Sequence, residues 1–166
     1  GSLAVGGGDQ VIAPLNRWMD RFCAAHLPVF ATRDWHTADH CSFRAQGGQW
    51  PAHCVAGTPG AQFPASLALP ADATLISKAT TRSADSYSGF GGTDLHHRLQ
   101  HAGIRRLFVG GLATDYCVLN TVMDALREGY GIVLLTRAIR AVNVQPGDGE
   151  RAVDTMIAAG AVASEE

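Results

Sequence analysis

The 166-residue sequence predicts a three-layer α/β/α fold with a mostly parallel, doubly wound sheet. Short apolar runs recur along the chain and alternate with segments in which apolar residues have helical spacing. Strands that are apolar throughout are typical of parallel sheets that are covered on both faces. The length suits one domain with its own core, and no repeat or linker divides the chain. We therefore predict a single domain over residues 1–166.

The elements follow from periodicity and from the turn residues that bound them. Apolar residues at helical spacing predict a first helix over about residues 9–25. Thr93 can cap a later helix that stops before Gly103, and Gly129 ends another. The remaining predicted helices are 93–101, 115–127 and 149–159, and the predicted strands are 27–32, 73–77, 107–112, 132–135 and a weak final strand at 161–163.

The start of the chain does not fit this plan. Residues 1–8 lead directly into the first helix, although a β/α unit of a parallel sheet begins with a strand. We therefore expect the first strand to be missing from this chain, which makes the domain N-terminally incomplete.

Composition narrows the classes of function. A net charge of -2 gives no reason to expect nucleic acid or an anionic membrane as a partner. No apolar run approaches the roughly 18 to 20 residues that cross a bilayer, and no signal peptide is visible. The four cysteines have no framework spacing, and a domain of this size needs no disulfides, so we expect a reducing cytoplasm.

A loop rich in potential metal ligands follows the first predicted strand. Asp34 and His36 are two residues apart, so in an extended segment their side chains leave on the same face. His53 can approach from the far side of the loop. One carboxylate and two imidazoles suit Zn²⁺, Mn²⁺ or Fe²⁺ and leave coordination positions open. Spacing alone equally allows unrelated loop histidines. A structural zinc site that includes Cys41 and Cys54 is a further alternative, although neither cysteine shows C-x-x-C spacing.

The ends of other strands carry a second chemical signal. Lys78, the only lysine among 13 cationic residues, follows the strand predicted at 73–77. Cys117 lies near the start of a predicted helix, where free N–H groups and the helix dipole favour an anion. We therefore expect a lowered thiol pKa and a nucleophilic thiolate. Carboxyl ends of parallel strands meet at one edge of the sheet, so these residues should converge there with Asp34. The alternative for Cys117 is a small buried hydrophobic residue.

The other cysteines and histidines receive structural interpretations. Cys23 falls on the apolar stripe of the first helix and is predicted to be in the core. His96, His97 and His101 lie on a surface-type helix and are predicted to be solvated.

The assembled motifs resemble the nicotinamidases, also called pyrazinamidases, of the isochorismatase-like hydrolase superfamily. The resemblance runs nearly from end to end. Its motifs are G-S-L-A-V, R-D-W-H-T-A-D-H-C-S-F, W-P-A-H-C-V-A-G-T-P-G-A-Q-F, I-S-K-A-T, Y-S-G-F-G-G-T-D-L and G-L-A-T-D-Y-C-V. The D-W-H and W-P-x-H-C elements together separate nicotinamidases from superfamily members that have the Cys/Lys pair without a metal.

The resemblance implies a reaction and roles for three residues. Cys117 would attack the amide carbon of nicotinamide, expel ammonia and form a thioester that water hydrolyses to nicotinate. Lys78 would stabilise the thiolate. The backbone N–H groups of Ala113 and Cys117 would form the oxyanion hole, next to a non-proline cis peptide bond between Leu112 and Ala113.

The resemblance also implies a divalent metal, with zinc expected first and iron or manganese as alternatives. The pyridine nitrogen of nicotinamide would approach this ion. His40 matches a histidine that ligates metal in some relatives only, and the resemblance leaves a homo-oligomer open. The matching positions are Asp34, His36 and His53 for the metal, and Trp50 and Tyr87 for packing against the substrate ring.

One catalytic position of the family has no counterpart in this sequence. It is an aspartate upstream of G-S-L-A-V, and Asp9 and Asp115 lie on the wrong side of that motif to replace it. Two rival functions follow. One is another cysteine amidase of the superfamily that acts on an N-carbamoyl compound and needs no metal set. The other is a metal- and pyridine-binding domain without turnover.

Overall fold

The computed structural model describes residues 2–165. Gly1, at which the expectation of a missing first strand falls, lies outside the described residues. The strands are β1 (Phe30–Asp34), β2 (Thr74–Lys78), β3 (Arg106–Leu112), β4 (Gly131–Arg140) and β5 (Val162–Ser164); the α-helices are α1 (Ile12–Ala24), α2 (Leu95–His101), α3 (Leu119–Arg127) and α4 (Asp148–Ala158); and one turn of π-helix, Thr114–Val118, joins β3 to α3.

Every paired strand is parallel to its neighbour, as predicted. β1 pairs with β2, and the register places Asp34 directly opposite Lys78. β3, β4 and β5 form a second group in that order. Within residues 2–165, no ladder of hydrogen bonds joins β1 or β2 to the other three strands.

Helices cover both faces of the larger group of strands. On one face, Phe108 of β3 packs against Trp18 and Phe22 of α1, with ring centroids 5.1 and 5.2 Å apart. Successive residues of a strand point to opposite faces. Leu107 and Val109 accordingly join the main core on the other face. Four elements each contribute one fully buried residue to the centre of that core. These residues are Leu99 of α2, Val122 of α3, Leu134 of β4 and Met156 of α4.

Two strands have different limits from those predicted. β1 begins at Phe30 and not at residue 27, because Pro28 has no N–H to donate to a ladder and Leu27 is half exposed. β4 continues to Arg140, well beyond residue 135. The later part of β4 stays in the strand because the side chains of Ala138 and Ile139 are buried.

Two structural interpretations of single residues are wrong. Cys23 is exposed and not in the core, since it lies in the last turn of α1, where its neighbour Phe22 takes the position that contacts β3. His96 is not fully solvated, because its ring nitrogen Nδ1 lies 3.2 Å from the hydroxyl of Tyr130 and 3.5 Å from Glu128. The other two histidines of α2 are exposed, as predicted. Among the described residues, none of the helices has both the length and the apolar character needed to cross a membrane.

Candidate active site

Three strand ends meet around the ammonium group of Lys78, as the sequence predicts. Lys78 is 3% exposed. Its Nζ donates to a carboxylate oxygen of Asp34, to the carbonyl oxygen of Ser86 at 2.9 Å and toward the sulfur of Cys117 at 3.5 Å. An ammonium has three N–H donors, and each of them has a partner here. The amine is therefore held in one position with its charge directed at the thiol and the carboxylate.

Burial and neighbouring charges shift the pKa values of Lys78 and Cys117. Burial lowers the pKa of Lys78, but Cys117 and Asp34 together raise it by more than burial lowers it. The pKa of Lys78 therefore lies above its ordinary value, and the amine is charged. Burial raises the pKa of the Cys117 thiol more than Lys78 and the backbone N–H of Ala113 lower it. The predicted lowering of this thiol pKa is therefore wrong, because desolvation of the buried sulfur outweighs the groups that favour the thiolate. The ammonium of Lys78 opposes this effect of burial and favours the thiolate.

The turn that carries Cys117 is π-helical and is bonded back to the residue that follows β3. The peptide bond between Leu112 and Ala113 is cis, which confirms that prediction. The carbonyl oxygen of Ala113 accepts the N–H groups of Tyr116 at 3.1 Å and Val118 at 3.0 Å. The N–H of Ala113 faces the sulfur of Cys117. A backbone donor is thus available beside the atom that would attack a carbonyl carbon.

The predicted metal ligands lie together. The ligand atoms of Asp34, His36 and His53 are all within 4.8 Å of one another. His36 Nδ1 lies 3.1 Å from the carbonyl oxygen of His53, and His53 Nδ1 lies 2.8 Å from that of Pro51. A carbonyl only accepts, so each Nδ1 carries the hydrogen and each Nε2 keeps a lone pair for a metal. Burial also lowers the pKa of His36, which favours its neutral form. The donor set fits a borderline divalent cation such as zinc.

His40 is held differently. Its Nε2 donates to the carbonyl oxygen of Ala84 at 3.3 Å, and its Nδ1 accepts the hydroxyl of Ser42 at 2.8 Å. Although His36, His40 and exposed Asp85 also form a group of potential ligands, both ring nitrogens of His40 already have partners. His40 therefore supports the loop, and Asp34, His36 and His53 are the set that could hold a metal.

The cysteines near this loop do not form the alternative zinc site. Within residues 2–165, neither Cys41 nor Cys54 belongs to a group of potential metal ligands. Burial and the nearby Asp34 carboxylate raise the pKa of Cys54 to about 11, so in the absence of a metal it is a neutral thiol.

An aromatic wall adjoins the nucleophile turn. Trp50 Nε1 donates to the hydroxyl oxygen of Tyr87 at 3.0 Å, which brings together the two predicted ring-packing residues. Tyr116 completes the wall, with ring centroids 5.1 Å from Trp50 and 5.3 Å from Tyr87. Tyr116 was not predicted from the sequence, although its position next to Cys117 was a usable signal. The wall presents flat apolar surface suited to an aromatic ring.

Fold and site together define a class of protein: a parallel α/β domain with a thiol, an ammonium group and a set of metal ligands at its strand ends. The model of the isochorismatase domain family matches residues 1–165, and the chain belongs to this family. This confirms the fold class and the resemblance noted in the sequence.

Known relatives agree with this assignment. The chain is 39% identical to the nicotinamidase of Escherichia coli (strain K12) over an alignment of 182 residues. That alignment covers 97% of this chain and 85% of the Escherichia coli protein. A pyrazinamidase of Pyrococcus horikoshii, solved in complex with zinc, has a TM-score of 0.95 and 43% identity, covering 100% of this chain and 90% of that one. PnC1 of L. infantum, solved in complex with nicotinate, has a TM-score of 0.86 and 37% identity. The match covers 99% of this chain and 83% of PnC1.

Proposed function

We propose that this protein hydrolyses the amide of nicotinamide to nicotinate and ammonia through a thioester on Cys117, a reaction of pyridine nucleotide salvage. The observation that carries the proposal is the 3.5 Å contact between the Lys78 amine and the Cys117 sulfur. Support also comes from relatives that are named nicotinamidase or pyrazinamidase. The metal-ligand set and the aromatic wall beside this pair match a flat nitrogen heterocycle as substrate.

Substrate binding uses two parts of the site. The pyridine ring packs against Trp50, Tyr87 and Tyr116, which leaves the carboxamide directed at the strand ends. Asp34, His36 and His53 would hold a divalent ion, zinc first. When bound, the ion would act as a Lewis acid that attracts the lone pair of the pyridine nitrogen and so orients the ring.

The chemistry takes place in two stages. The Cys117 sulfur forms a bond to the amide carbon as the carbonyl π bond opens, and the backbone N–H groups of Ala113 and Cys117 stabilise the resulting oxyanion. The carbon–nitrogen bond then breaks, and the nitrogen leaves as ammonia with the proton that the thiol gave up. In the second stage water adds to the thioester, nicotinate leaves and the sulfur regains a proton. Lys78 stabilises the sulfur anion in both stages.

The direct test is ammonia release from nicotinamide by the zinc-loaded protein. Turnover that requires the metal supports the proposal over an N-carbamoyl amidase, for which the three-residue ligand set has no role. Binding of nicotinate without ammonia release would contradict hydrolysis and favour the non-catalytic alternative. We also propose that the protein works in a reducing cytoplasm, an assignment supported by its four free cysteines.

His53 provides a test of the metal site. Replacing His53 with alanine is expected to strip the metal and to weaken nicotinate binding, because one of two imidazole ligands is lost. The effect on metal affinity should be at least the roughly 10- to 100-fold that follows loss of an outer-shell partner. Metal content after dialysis and calorimetric titration with nicotinate measure it. His97→Ala, a change at an exposed histidine of α2, is the matched control, and an unchanged metal content in His53→Ala would remove His53 from the ligand set.

A further inference from the structure

We propose that Asp115 is a positioning residue that fixes the turn carrying the Cys117 sulfur, an inference that rests on the proposed role of Cys117 as nucleophile. Asp115 is the second residue of the π-helical turn Thr114–Val118 and lies two residues before Cys117. None of the roles derived above uses its carboxylate.

Both carboxylate oxygens of Asp115 are hydrogen-bonded to backbone that follows β4. Val142 N donates to Oδ1 at 2.9 Å, and Asn143 N donates to Oδ2 at 2.8 Å. Because β4 pairs with β3, these bonds tie together the carboxyl ends of two neighbouring strands. A carboxylate suits this position since it offers acceptors only, and its charge makes each bond about twice as strong as a neutral one.

The segment that receives Asp115 is itself held in place. Asn143 has a left-handed backbone with φ of 53°, and its side-chain oxygen accepts the N–H of Gly149 in the first turn of α4 at 2.8 Å. Glycine is required there, because a β-carbon on Gly149 would lie 2.5 Å from that of Ala141. Asp115 is therefore bonded to a segment that is fixed to both β4 and α4.

The turn is thus held from two sides. On one side its backbone bonds to the carbonyl oxygen of Ala113, and on the other Asp115 anchors it to the segment after β4. The sulfur between these anchors must stay near Lys78 and near the bound amide. A misplacement of about 1 Å can lower a rate by roughly 100-fold, so an anchor this close to the nucleophile affects the chemical step.

The test compares Asp115→Asn with a matched control, Asp148→Asn. An amide of the same size accepts one backbone N–H but presents its NH₂ group to the other, so the turn should shift. Asp148 accepts the N–H of Gln145 at 2.7 Å in the same loop and pairs with Arg151, but it does not bond to the nucleophile turn. Both variants therefore lose a bond of the same kind, and only one of them loosens Cys117.

Two ligands separate sulfur placement from ring binding. Nicotinaldehyde forms a thiohemiacetal: the sulfur bonds to the aldehyde carbon, the carbonyl π bond opens and the thiol proton moves to the oxygen. Its affinity therefore depends on where the sulfur lies. Nicotinate forms no bond to sulfur and reports only on the ring and metal sites.

For Asp115→Asn we expect kcat to fall roughly 10- to 100-fold and nicotinaldehyde affinity to fall in parallel, with KM, nicotinate affinity and metal content within about twofold of the parent. Asp148→Asn should keep all of these values while lowering Tm. The inference is overturned if Asp115→Asn keeps its kcat and nicotinaldehyde affinity, if it loses nicotinate affinity equally, or if Asp148→Asn lowers kcat as much. A parent protein that neither releases ammonia nor binds nicotinaldehyde through Cys117 would instead overturn the proposed function, and this inference with it.

Discussion

Replacing Cys117 with alanine is expected to abolish ammonia release from nicotinamide while leaving the metal bound. The sulfur is the only atom proposed to form a covalent bond to the substrate, and a methyl group cannot replace it. Loss of a catalytic nucleophile costs roughly 10⁴-fold or more in kcat. The metal ligands belong to β1 and the following loop, so metal content and nicotinate affinity should stay close to those of the parent. Initial rates of ammonia release and metal analysis on the same preparation measure both.

Cys23→Ala is the matched control for this variant. Cys23 is exposed on α1 and contacts no part of the site, so its replacement should leave the rate unchanged. Residual activity of Cys117→Ala within about tenfold of the parent would refute the nucleophile assignment, because enzymes that lose their nucleophile fall much further.

Replacing Lys78 with arginine should be severely damaging although the charge is kept. The ammonium is buried, and its three donors are matched to Asp34, Ser86 and Cys117. A planar guanidinium is larger and presents its donors in a fixed fork, so it cannot make these three bonds from the same position. Loss of one preorganised electrostatic partner costs roughly 10²- to 10³-fold in kcat, and we expect a fall of at least that size.

The exposed Arg82 offers a matched control for this exchange. Arg82 pairs with Asp39 at 3.1 Å on the surface, and Arg82→Lys makes the reverse change of cation at an exposed position. It should leave kcat unchanged, since exposed ion pairs contribute little to the stability of the fold. A near-normal kcat for Lys78→Arg would show that only the charge is needed, and would contradict the account of a fitted ammonium. Metal content should be measured in both variants because Lys78 contacts Asp34.

Local sequence predicted the positions of the chemical groups well. Apolar runs located the strands, and the parallel register that sets Asp34 opposite Lys78 follows from where two such runs end. The loop sequence anticipated Asp34, His36 and His53 as a possible ligand set, and the resemblance added the cis bond after Leu112. These features depend on residues within one strand or one loop, or on the rule that parallel strands end at a common edge.

Features that depend on tertiary packing were not predicted. The pKa of Cys117 is raised because the surrounding residues bury it, and a position at a helix start contains no information about desolvation. The bonds from Asp115 to Val142 and Asn143 join segments 27 and 28 residues apart, through the pairing of β3 with β4. The contact of His40 with Ala84 was not predicted either, because these residues are 44 positions apart in the sequence.

Trapping with hydroxylamine tests the central claim most directly. If nicotinamide is converted through a thioester on Cys117, hydroxylamine competes with water for that intermediate. Nicotinohydroxamic acid should then form at the expense of nicotinate, in a ratio that rises with hydroxylamine concentration, while ammonia release continues. Formation of nicotinate alone at every hydroxylamine concentration, with ammonia release undiminished, would mean that water attacks the amide directly and would contradict the account.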